Sequence, residues 1–202
     1  HATSSAASQW SQPMESVMSR LGLAALAVLI PISAHAAAFK APVEELMAAT
    51  ASNWKEMKED TETAPDYIDY FSEDFLKRLY SKDLVTKYRE AAKYPAYDDG
   101  GSPFGYDPIV SGQDGCSLKD LTITEGTPKD GTDDVTVTFD NTHCFPERDP
   151  SQAKTTLVFK VIEEDGRPVI DEMVREGEDE STLKEELGEL ARYGAEAAAG
   201  GQ

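Results

Sequence analysis

The stretch Cys116-Ser117-Leu118-Lys119-Asp120-Leu121-Thr122-Ile123-Thr124-Glu125-Gly126-Thr127-Pro128-Lys129-Asp130-Gly131-Thr132-Asp133-Asp134-Val135-Thr136-Val137-Thr138-Phe139-Asp140-Asn141-Thr142-His143-Cys144 folds back on itself about Asp130. Two runs of alternating character, Leu118 to Glu125 and Asp134 to Phe139, flank the turn-rich Gly126 to Gly131. Symmetric pairing sets Leu121 against Phe139, Ile123 against Val137, Thr122 against Thr138 and Thr124 against Thr136. One face is then apolar and the other threonine. The same register brings Cys116 to Cys144, the only two cysteines of the chain. A disulfide-closed β-hairpin is therefore expected. A zinc site using His143 and nearby carboxylates is the weaker alternative, because close Cys-x-x-Cys spacing is missing. The register also places Asp120 opposite Asp140, and like charges across a sheet repel. A bulge or solvent screening is the expected resolution, ahead of a shared proton or cation.

Two further strands follow. Lys154 to Glu163 leads through Asp165-Gly166, a two-residue hairpin signal, into Pro168 to Arg175. That turn opposes Val161 to Ile170 and Lys160 to Asp171. A meander of four antiparallel strands results.

Helical signals precede it. Pro42 suits a first helical turn, and Val43, Leu46, Met47, Thr50, Trp54 and Met57 recur at helical spacing, a pattern that reads as core. After the acidic connection Lys58 to Thr63, Pro65 opens a helical piece with Tyr67, Ile68, Tyr70 and Phe71. Ser72, before Glu73 and Asp74, reads as an N-cap, and Ser81 as a second one. The helix that follows stops at Tyr94-Pro95. The tyrosines of this region read as half-buried helix faces. Residues 96 to 115 form an ordered loop if Phe104, Tyr106, Ile109 and Val110 pack. Ser181 or Thr182 caps a final helix bearing Leu183, Leu187 and Leu190, and an Ala/Gly tail from Ala195 to Gln202 frays. The fold class is α+β: N-terminal helices packed on a curved, cone-like, four-stranded antiparallel sheet, plus a C-terminal helix.

The N-terminal 36 residues read as a leader. His1 to Pro13 has no periodicity. Arg20 supplies a positive flank, Leu21 to Ile32 an apolar run, and Ala34-His35-Ala36 a small-x-small site, so cleavage after Ala36 is expected. The run is shorter than the roughly 20 residues of a membrane span. Residues 37–176 then form one domain and 177–202 the terminal helix and tail. Export to an oxidising compartment, a bacterial periplasm, agrees with the disulfide. Acidic residues outnumber basic ones 38 to 19, a net charge of -19, which disfavours nucleic acid and anionic membrane as partners.

The catalytic signals are sparse. His143 is the only histidine after the leader, no serine lies in a Gly-x-Ser-x-Gly setting, and the glycine clusters lack the strand-to-helix context of a phosphate loop. No metal or cofactor is expected.

Tyr70-Phe71-Ser72-Glu73-Asp74-Phe75, the loop Tyr106-Asp107-Pro108-Ile109-Val110 to Gln113-Asp114, and Val169-Ile170-Asp171-Glu172-Met173 resemble an uncharacterised family of small exported bacterial proteins with a nuclear transport factor-like or cystatin-like α+β fold. The resemblance implies a curved sheet against helices around a conical pocket, an architecture that serves isomerases, ligand binders and adaptors alike. The first expectation is a binding domain for a small molecule or protein, an inhibitor or immunity-type protein being one form of it, using Tyr106, Asp107, Gln113 and Asp114. The alternative is a small isomerase- or dehydratase-like pocket enzyme with Asp107, Asp114, Asp140 or Glu172 as a buried base. A structural envelope module is the third.

Overall fold

A computed structural model describes residues 32–56, 66–98, 100–177 and 181–200. The apolar run of the leader and the acidic connection 58–63 lie outside the described residues, apart from Ile32. Five antiparallel strands in sequential order form one open sheet: β1 (Lys119–Glu125), β2 (Thr132–Asp140), β3 (Thr155–Glu164), β4 (Arg167–Arg175) and β5 (Ser181–Thr182). The helices are α1 (Ile32–Asn53), α2 (Glu73–Arg78), α3 (Lys82–Ala91) and α4 (Leu183–Gly200).

The β1–β2 hairpin follows the symmetric register from Thr122 to Glu125, with Thr122, Ile123 and Thr124 against Thr138, Val137 and Thr136. The hydroxyls of Thr122 and Thr138 hydrogen-bond at 2.7 Å. Val135, Val137 and Phe139 are buried on the opposite face. Between Lys119 and Thr122 the register shifts, and Asp120 takes φ 53°. Lys119, not Asp120, therefore pairs with Asp140, and the bulge separates the two carboxylates. Cys116 and Cys144 form a disulfide with Cα atoms 6.0 Å apart. His143 is a local brace, its Nε2 lying 3.0 Å from the Ser117 carbonyl.

The β3–β4 turn is the two-residue loop expected, with positive φ at both Asp165 and Gly166, the type I′ geometry that matches strand twist. Val161 pairs with Ile170, but Lys160 pairs with Glu172 instead of Asp171, because a second irregularity sits between them. The bulge leaves Ile170 able to pair outward. Its amide bonds the Leu79 carbonyl at 2.7 Å and its carbonyl receives the Ser81 amide at 2.9 Å. Asp171 then accepts from the Ser81 hydroxyl at 2.7 Å and ion-pairs with Lys184 at 2.8 Å, tying β4 to α3 and α4.

Helix α1 crosses β1 to β4 with Val43, Leu46, Met47 and Thr50 essentially inaccessible. Pro42 lies inside this helix and does not open it. Alanine-rich sequence upstream carries the helix through a proline that supplies no amide to the carbonyl four residues earlier. The backbone of the small-x-small site, 34–36, belongs to the same helix. Residues 66–72 are not helical. Asp69 accepts from the Phe71 amide, and the Asn53 side chain bonds both the amide and the carbonyl of Ile68, so local bonds replace a helical ladder. Ser72 and Ser81 cap α2 and α3 as expected.

Tyr70, Tyr80 and Tyr88 are core residues and not half-buried faces. The Phe71 ring stacks on Tyr80, Tyr88 and Phe104 at centroid distances of 5.4, 4.3 and 5.7 Å. At the C-terminus Thr182 and Glu185 form a reciprocal capping box, the Glu185 amide donating to the Thr182 hydroxyl and the Thr182 amide to the Glu185 carboxylate. The two residues read as cap also make β5, and α4 extends through the alanines to Gly200 where fraying was expected. Alanine is the strongest helix former, so the extension follows from composition.

Candidate functional site

The loop 104–112 is held from three directions. Asp107 Oδ2 accepts from Trp54 Nε1 at 2.8 Å and from the Tyr70 hydroxyl at 2.7 Å, while Oδ1 accepts the amides of Ile109 and Val110 at 2.8 and 3.1 Å. Phe104, Ile109 and Val110 are buried beneath it. Gln113 Nε2 and the Tyr97 hydroxyl both donate to the Gly105 carbonyl, at 2.6 and 3.0 Å. The Asp107 and Gly112 backbones pair across the turn, with Ser111 at φ 58°.

From β4, Arg175 reaches the same loop. Its Nη2 donates to the Pro108 carbonyl at 2.6 Å, and its Nη1 meets Glu186 of α4 at 2.9 Å. Arg175 Nε is buried without a partner, and burial pushes the guanidinium below its usual pKa, opposed by Glu172 and Asp107. Burial, with like-charge repulsion from Glu189, pushes the Glu186 carboxyl up to about 7. The Arg175 guanidinium at 2.9 Å pulls the other way and favours the ionised carboxylate.

Between this loop and α4 lies an open groove of about 880 Å³, bordered by Tyr106 and Ser111 on one side and by Glu185, Glu189, Leu190 and Tyr193 on the other. Tyr106 is 38% and Tyr193 55% exposed. The Arg192 guanidinium lies 4.0 Å above the Tyr193 ring.

Of the residues singled out from sequence, Tyr106 faces this groove. Asp107 is saturated by protein donors, and Gln113 is an exposed brace for the loop. Asp114 is exposed. Asp140 lies at the far end of β2, where Arg148 Nη1 sits 2.6 Å from both of its oxygens. That contact holds its carboxyl down at about 2. Glu172 Oε1 accepts the amides of Met173 and Lys184. Asp107 and Glu172 both act on the Arg175 guanidinium, and among the described residues no hydrogen bond joins any two of the four carboxylates considered as bases. Among the described residues no group of three or more His, Cys, Asp or Glu side chains is placed to hold a metal ion, and no helix is long and apolar enough to cross a membrane.

Arg175 escapes a reading of β4 by its apolar residues, and Glu186, Glu189 and Tyr193 escape one that follows only the leucines of α4. Their signal is the polar face of that helix, where Glu185, Glu189 and Arg192, and likewise Glu186, Leu190 and Tyr193, recur at three- and four-residue spacing. Compared with protein-family models, curated proteins and solved structures, the chain finds no match.

Proposed function

We propose that this is a binding domain which holds a small molecule or a partner protein in the groove between the 104–112 loop and α4. The observation that carries the reading is the groove itself, open to solvent and edged by two exposed tyrosines over a rigidly braced floor. Exposed aromatics beside fixed polar groups are the usual makings of a recognition surface. The disulfide supports placing the protein in an oxidising, exported setting, the periplasm of the sequence reading. A curved, cone-like sheet of the nuclear transport factor or cystatin type belongs to the same proposal, as does an inhibitor-like role.

A pocket enzyme with a carboxylate base is the second reading, and Glu186 is the one observation in its favour. It lines the groove and is raised towards neutrality. Its pairing with Arg175 leaves it poorly placed to accept a substrate proton.

Native mass spectrometry of the protein with its disulfide intact tests the binding reading. A retained molecule is expected, and Tyr193→Ala should release it without lowering the melting temperature, since that ring is exposed. Retention unchanged in both Tyr193→Ala and Tyr106→Ala would place binding elsewhere.

A further inference from the structure

We infer that the groove takes a basic segment of a partner protein, seating an arginine or lysine side chain on the tyrosine rings and against Glu189. The inference rests on reading the groove as the binding surface and adds the chemistry of its occupant.

Charge complementarity carries it. Arg175 is paired with Glu186 at 2.9 Å, and Arg192 with Glu196 at 3.1 Å, so both cations of the groove wall are compensated within the chain. Two carboxylates of the wall are not. Glu185 accepts only a 3.3 Å bond from the Thr182 amide, and Glu189 has no ion pair among the described residues. Glu189 also repels Glu186, and a cation bound beside it would relieve that repulsion. The tyrosine rings supply the second component, an electron-rich face for a guanidinium or ammonium group. Tyr193 already carries one, the guanidinium of Arg192.

Shape selects a chain segment over a small amine. The α4 residues of the wall run from Glu185 to Tyr193, roughly 12 Å at the helical rise, and the groove is open along that length instead of closing into a cavity. An extended peptide fits such a trough, whereas a small amine would be left mostly in water. The excess of acidic residues over the whole chain, 38 against 19, favours encounter with a basic partner.

Gly188 provides a variant that tests occupancy without harming the fold. It lines the groove, and a Cβ there meets no atom within 4 Å. Gly188→Leu therefore adds a side chain to the groove while raising helix propensity.

The experiment is fluorescence anisotropy with the full, disulfide-intact chain and a labelled peptide alternating arginine with glycine, beside the same peptide carrying neutral citrulline for arginine. The arginine peptide is expected to bind about tenfold or more tighter than the citrulline one. Glu189→Gln should weaken it about three- to tenfold, and Gly188→Leu should abolish it with no loss of melting temperature. Equal binding of the two peptides overturns the cationic inference and leaves the groove reading standing. Arginine-peptide binding indifferent to both variants shows adhesion to general acidity and also overturns it. Spermidine displacing the peptide at equal or lower concentration replaces the chain segment with a small amine, again against the inference. Failure of the groove reading looks different: the molecule retained by the native protein stays bound in Gly188→Leu.

Discussion

Asp107 shows how a carboxylate chosen from sequence as a candidate base can be committed to structure. Both oxygens already accept two donors each. Asp107→Asn tests this, because either orientation of the amide turns an NH2 towards donors. The Tyr70 hydroxyl can rotate to accept, whereas Trp54 Nε1 cannot. A loss of about 1–3 kcal/mol is expected in urea unfolding, and a change under about 0.5 kcal/mol would mean that other contacts hold the loop. Asp140 makes a different residue-scale case. Its collision with Asp120 was legible in the pairing, and the bulge that relieves it was an expected resolution, but Arg148 eight residues on was not seen as its partner. With its carboxyl lowered from 3.8 to about 2, Asp140 favours the folded state above the unfolded value, and that contribution is lost as pH falls through the folded one. Stability should therefore decline between about pH 4 and pH 2 more steeply in the native protein than in Asp140→Asn. Coincident acid-unfolding curves for the two proteins would mean that Arg148 contributes nothing through Asp140.

At the scale of elements, the hairpin was readable because burial, register and sulfur chemistry all selected one alignment. A closed loop with sequence separation 28 should contribute about 3–4 kcal/mol by its effect on unfolded-chain entropy. Reduction with a mild thiol, or the double Cys116→Ser and Cys144→Ser variant, should lower stability by about that amount in denaturant titration. Loss near zero would show that strand pairing alone closes the loop. Helix α4 was readable only on its buried side. Leu183 and Leu187 announce the core, but nothing local reveals that Gly194 passes so close to Tyr94 that a Cβ would overlap the Tyr94 Cβ and Cγ. Gly188 and Gly194 of this helix should consequently respond in opposite directions. Gly188→Ala should gain up to about 1 kcal/mol from helix propensity, and Gly194→Ala should lose about 1–3 kcal/mol through overpacking. Thermal melts of the pair, compared with the parent, decide the matter: equal gains would mean that α4 does not pack on Tyr94. Residues 66–72 were misread for a related reason. Their apolar spacing suits a helix, but Asp69 and Asn53 offer their backbone closer partners.

Across the whole molecule, the layer order of helices before a sequential antiparallel sheet was legible from periodicity, while the groove was not, since its walls come from positions as distant as Tyr106, Arg175 and Tyr193. Only packing brings these together, and the bulge that lets β4 anchor α3 and α4 is invisible to a two-residue period. Charge acts at this same scale. An excess of carboxylates summing to -19 is a self-repulsion that folding concentrates into a smaller volume. Against it stand exposed ion pairs such as Arg78 with Glu45 and Asp74, Lys82 with Asp165 and Arg89 with Glu73, each weak in water and each weakened further by salt. Raising ionic strength from about 0.01 to 0.15 M shortens the screening length from about 30 to about 8 Å. Contacts near 3 Å survive that change better than repulsion summed over the whole surface. Repulsion is therefore relieved more than attraction is lost, and the melting temperature should climb by several degrees over this range at neutral pH. A series of melts in sodium chloride measures the balance directly, and a flat or falling curve would mean that the local pairs outweigh the global excess of negative charge.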